Sequence, residues 1–127
     1  MFKVIVILLL AVTTPAIAGE YEKYWDTWHK NATLIKQCQS EKKVKLFLQN
    51  SIADLGNAER TEANAEVVET IILTKPACFL STLSTLSQEE CKSVVKFFIR
   101  SPLYNDAKQI EKSLKSVHSK KVSCYVG

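Results

Sequence analysis

The chain has 127 residues, 46% hydrophobic and 24% charged, with a formal net charge of +4. That length bounds it to one domain of ordinary size, and the charge is far below the strongly basic profile of a nucleic-acid-binding protein, so no nucleic acid is expected as partner. A mildly basic surface is compatible with an anionic protein or a membrane surface and demands neither.

Lys3 gives a short positive start, Val4 to Val12 is an unbroken apolar run, and Thr13-Thr14-Pro15 breaks it. Ala16-Ile17-Ala18 then has the small-x-small form of a cleavage site. Residues 1–18 are therefore expected to be a cleaved signal peptide, and 19–127 a single helical domain. The apolar run is about nine residues, against roughly 20 for a spanning helix. Losing Lys3 leaves sixteen basic against thirteen acidic side chains, a net charge of about +3. The expected location is the periplasm if the host is bacterial, and otherwise extracellular.

Glycine is scarce after residue 18, at Gly19, Gly56 and the terminal Gly127. This disfavours tight β-hairpins, and no stretch alternates long enough to predict a strand. Helical spacing recurs instead. Tyr21, Tyr24, Trp25, Trp28, Ala32, Ile35 and Cys38 share one face of a first helix. Val44, Phe47, Leu48, Ile52 and Leu55 mark a second, with Gly56 placed for a left-handed C-terminal residue. Ala63, Val67, Val68, Ile71 and Ile72 mark a third, with Asn57 or Thr61 as its N-cap. Lys75-Pro76 ends that helix, and Pro76 suits the first turn of a fourth carrying Phe79, Leu83 and Leu86. Ser87-Gln88-Glu89-Glu90 reads as a capping box for a fifth, with Cys91, Val94, Val95, Phe98 and Ile99, stopping at Ser101-Pro102. Asn105-Asp106 is placed to cap a sixth, with Ile110, Leu114 and Val117 on one side. Lys112, Lys115, His118, Lys120 and Lys121 crowd its end, where cations suit the helix dipole.

The predicted fold is all-α, a compact bundle of about six short helices, with HEAT-like helix pairs as the alternative. No sequence repeat supports a solenoid. Four cysteines after an export signal imply two disulfides. Antiparallel pairing of helices two and three brings Cys38 to Cys78, and pairing of five and six brings Cys91 to Cys124. The rival Cys78–Cys91 bridge leaves the two cysteines out of register by roughly 6 Å across the Ser87 turn, a poor fit to disulfide geometry.

No catalytic, cofactor-binding or metal-ligating set emerges. The cysteines lack zinc spacing, and neither histidine, His29 or His118, has a partner at i, i+4. No nucleophile elbow is present. Glu89-Glu90 superficially suggests a carboxylate pair, but adjacent helical residues point about 100° apart, and Glu90 is accounted for by the capping box. Asn31-Ala32-Thr33 is a glycosylation sequon, relevant only in a eukaryotic host.

Two aromatic groups are candidate partner-binding surfaces. One is Tyr24, Trp25 and Trp28 with Tyr21, which pack into the core or anchor a partner, Tyr and Trp being enriched in binding hot spots. The other is Pro102-Leu103-Tyr104. It either covers one of the adjacent Phe97 and Phe98, which cannot both face one core, or offers Leu103 and Tyr104 to a partner.

Size and cysteine content resemble the four-cysteine insect odorant-binding proteins, although gaps of 39, 12 and 32 residues between the cysteines depart from that pattern. In general plan the chain resembles the small helical periplasmic immunity proteins that bacteria make against secreted toxins. No motif carries either likeness, and no residue roles follow from them. The expected function is that of an exported, non-enzymatic binding protein whose partner is another protein, such as an immunity protein or inhibitor of a secreted toxin or enzyme. The alternative is a carrier of a small apolar ligand or lipid, and the third reading an unrecognised hydrolase.

Overall fold

A computed structural model of the chain describes residues 14–117 and 122–125. Most of the expected signal peptide, and His118, Lys120 and Lys121, lie outside the described residues. The described part is all-helical, with six α-helices: α1 Thr14–Lys36, α2 Glu41–Ala53, α3 Ala58–Thr74, α4 Pro76–Leu83, α5 Gln88–Val94 and α6 Ala107–Lys115. A π-helical segment, Val95–Ile99, continues α5. The only extended pairing among the described residues is an isolated bridge between Val122 and Tyr125. No described helix is long and apolar enough to cross a membrane. The chain divides into two compact units, Met1–Ala32 and Thr33–Gly127.

Local chemistry accounts for most helix ends in the second unit. Ser40 caps α2 by accepting from the Lys43 amide at 3.3 Å, and Asn57 caps α3 by accepting from the Arg60 amide at 3.1 Å. Thr61 is not the cap. Its hydroxyl instead donates to the Asp54 carbonyl at 3.0 Å, closing the α2–α3 turn. Pro76 occupies the start of α4, where its missing N–H leaves nothing unsatisfied. The Ser87–Glu90 capping box is complete in both directions. Asp106, rather than Asn105, caps α6.

Three local expectations need correction. Gly56 does not take a left-handed conformation; α2 ends through Asp54 in the right-handed region. Cys38 does not lie on the first helix but two residues beyond its end, and it alone among the described non-glycine residues has positive φ, 52°. The fifth helix is not regular throughout. The Arg100 amide reaches back to the Val95 carbonyl at 2.8 Å, five residues away, so its last turn is π.

The core of the second unit is built around α3, which packs against α2, α4, α6 and the π segment. Val67, Val68 and Glu69 are consecutive and all 0% exposed. Three successive helical residues face about 200° of the circumference, so this stretch is enclosed around more than half of its girth, as a central helix is. A solenoid repeat would touch only its neighbours; here α2 also meets α5, and α4 meets α6. The bundle, not the HEAT-like alternative, describes the packing. Phe79, Leu83, Phe98, Ile99, Ile110 and Leu114 close around α3 from the other helices.

Both expected disulfides are present: Cys38–Cys78 with Cα atoms 6.3 Å apart, and Cys91–Cys124 at 5.9 Å. None of the four cysteines is free. The first joins the α1–α2 connection to the first turn of α4, and the second joins α5 to the tail beyond α6.

Candidate interaction surface

Glu69 is the least expected residue of the core. A buried carboxylate needs hydrogen-bond partners to offset its lost hydration, and the segment before α6 supplies them. Oε1 accepts from the Asn105 amide at 2.8 Å, from the Tyr104 amide at 3.1 Å and from Asn105 Nδ2 at 3.1 Å. Oε2 accepts from the Leu103 amide at 3.0 Å and is 3.3 Å from that of Tyr104. Three successive backbone N–H groups thus converge on one anion, the concave arrangement of a nest.

The flanks of this loop are also fixed. Pro102, half-buried, restricts the entry φ. At the exit, Asp106 accepts from the Lys108 amide at 3.1 Å and starts α6. Arg100 pairs with Glu111 at 2.8 Å, tying the end of the π segment to α6. The Ser113 hydroxyl donates to the Ile72 carbonyl at 2.6 Å, tying α6 to α3.

The backbone between these fixed points leaves two large side chains outward. Leu103 is 55% and Tyr104 56% exposed. Of the two alternatives for this segment, cover or exposure, exposure is the one observed. Of the phenylalanine pair, Phe98 is 1% exposed and Phe97 42%, with the Lys96 ammonium 5.2 Å from the Phe97 ring centre. Cations predominate along Cys91–Val117: Lys92, Lys96, Arg100, Lys108, Lys112 and Lys115 against Asp106 and Glu111.

The other candidate group lies in the first unit, on α1. Tyr24, Trp25 and Trp28 are half-buried along the helix, and Tyr21 is exposed. Their rings form a chain of edge-on contacts: Tyr24–Trp25 at 5.1 Å, Trp25–Trp28 at 5.4 Å and Trp28–His29 at 5.2 Å between centroids. None of these four aromatic residues joins the buried core. The two candidate groups therefore belong to different units of the chain.

Within the Glu89-Glu90 pair, Glu90 is engaged in the capping box of α5. The Ser87 amide donates to Glu90 Oε1 at 3.0 Å, and this bond holds the Glu90 carboxyl below its ordinary value of 4.5. A general acid at neutral pH requires the opposite shift. Among the described residues no three His, Cys, Asp or Glu side chains cluster closely enough for a metal ion.

Sequence reasoning missed Glu69. Its one signal is position: about 40° round the helix from Ala65 at 3.6 residues per turn, at the edge of the apolar arc of α3. The chain matches no protein-family model, no curated protein and no solved structure.

Proposed function

We propose that the chain is an exported, non-enzymatic binding protein that docks another protein through the Leu103–Tyr104 loop, as an immunity protein or inhibitor of a secreted toxin or enzyme would. The observation that carries this reading is the Glu69 carboxylate beneath the loop. A core charge is spent on holding a surface backbone still while two large side chains face solvent. An ordered loop loses little further entropy on binding, and tyrosine is among the residues enriched in binding hot spots. The adjoining π turn supports the reading, because single π turns occur frequently at functional sites.

Two disulfides suit an oxidising compartment, and the apolar segment at residues 4–12 supplies the route of export. The excess of cations on α5, the π segment and α6 selects a partner whose face is acidic around an apolar pocket.

The test is co-production with the product of any toxin-like gene found adjacent to this one, reading cell survival and complex formation. Leu103→Ala and Tyr104→Ala should each leave melting within about 0.5 kcal/mol of the parent, as for surface substitutions away from structural features. Tyr104→Ala should weaken the complex roughly 30-fold or more, the size of a hot-spot loss of about 2 kcal/mol. A complex that tolerates both substitutions, with a lipid retained in the native mass spectrum, would sink this reading and favour the carrier.

A further inference from the structure

The two disulfides sit in unlike surroundings. Cys38 and Cys78 are both half-buried, whereas the second bridge joins a half-buried Cys124 to Cys91, which is 3% exposed. Cys38 is held at φ 52°, a left-handed conformation that disfavours any residue with a Cβ. The position follows the end of α1, where glycine is the usual occupant. Its amide closes on the Ile35 carbonyl at 2.9 Å, and the Gln37 amide on Leu34 at 3.2 Å. The disulfide is the covalent tie that holds this unfavourable residue in place.

The electrostatic settings differ in the same sense. Cys78 is the third residue of α4, half-buried, so a thiolate there meets the positive end of a helix. Cys91 is the fourth residue of α5, directly after Glu89 and Glu90. A thiolate at Cys91 would form in the core, where burial disfavours the charge.

We propose that Cys38–Cys78 is a reducible latch on the α1–α2 connection, exchanged by an exported dithiol reductant, while Cys91–Cys124 is a permanent staple. The first thiolate of the reductant attacks Cys38 Sγ and forms a mixed disulfide. Cys78 departs as the thiolate in the first turn of α4 and takes up a proton. The second thiolate of the reductant then attacks the mixed disulfide and releases Cys38. Two electrons pass to the protein, two cysteine thiols result, and the reductant leaves as its own disulfide. Once released, Cys38 is free to abandon the left-handed conformation, and the end of α1 loosens while the α3 core persists.

The test uses the oxidised protein and dithiothreitol as the dithiol. Samples are taken through the reaction, free thiols are trapped with N-ethylmaleimide, and the labelled peptides are mapped. Cys38 and Cys78 should be trapped about tenfold faster than Cys91 and Cys124, or faster still, given the dependence of exchange on access and leaving group. Equal trapping of the two pairs, or earlier trapping of Cys91 and Cys124, overturns the proposal. Hydrogen exchange of the singly reduced protein provides the second readout. Peptides spanning residues 35–40 should exchange about tenfold faster than in the oxidised protein, with those of α3 unchanged, as for local rather than global opening. Unchanged exchange across 35–40 after reduction overturns the latch even if the order of reduction holds.

Discussion

Replacing Glu69 by glutamine isolates the contribution of the carboxylate beneath the loop. The substitution preserves volume, so no cavity contribution enters. It replaces one acceptor oxygen by an amide NH2, which points donors at donors. The remaining oxygen has two lone pairs, against the four donors the carboxylate holds from Leu103, Tyr104 and Asn105. At least two donors therefore lose their partner, at about 1–3 kcal/mol for each that stays buried. Leu103 and Tyr104 lie at the surface, where a rearranged loop regains water, so the lower half of that range applies. The expected loss is about 2–4 kcal/mol, or a fall in Tm of roughly 10–20 °C for a unit of this size. Urea denaturation followed by far-UV circular dichroism measures it, with the slope of the transition unchanged. A variant within about 0.5 kcal/mol of the parent, the range of an uninvolved surface site, would refute the claim that the carboxylate organises the loop.

Three further outcomes follow from named contacts. With Cys78 changed to alanine, Cys38→Ala should exchange amide hydrogens over residues 35–40 faster than Cys38→Gly, because only glycine keeps φ 52° freely once the disulfide is gone; equal exchange would remove the strain assigned to Cys38. Glu90 has a depressed folded value, so its stabilising contribution is present above its ordinary 4.5 and is lost as pH falls through the folded value; an acid titration of stability should show Glu90→Gln losing less than the parent below that point. Burial pushes the Tyr125 phenol above its ordinary 10.0, so its contribution is intact below that pH and lost as pH rises through the folded value. The Tyr125 hydroxyl is buried without a hydrogen-bond partner among the described residues. Tyr125→Phe should therefore be neutral, or stabilising by up to about 1 kcal/mol, and should lack the alkaline loss; destabilisation measured in urea would show that the hydroxyl has a partner.

What the sequence revealed is what short-range chemistry controls. Pro76 and the Ser87–Glu90 box mark helix starts because their partners lie within four residues. The disulfide pairing was legible because helix length and brief connections restrict which ends can meet. Glu69 was hidden because its partners lie 34–36 residues away, in a loop whose conformation no local pattern encodes. Gly56 misled for a related reason. Thr61 and Asn57 close the α2–α3 turn without a left-handed residue, while the left-handed position falls to Cys38, where a distant bond holds it. The π turn was equally hidden, since Val94, Val95, Phe98 and Ile99 fit an ordinary helical stripe. The exposure of Leu103 and Tyr104 follows from Glu69 and could be found only with it.

The connectivity of the disulfides has a consequence for biogenesis. The pairs are consecutive along the chain, 38 with 78 and 91 with 124, neither nested nor crossed. A polypeptide emerging N-terminus first presents Cys38 and Cys78 to an oxidant before Cys91 appears. Each newly exposed cysteine pair is then already the correct one, and the order of emergence alone selects one of three connectivities. Oxidation in order of emergence would therefore reach this connectivity without a step that shuffles mispaired intermediates.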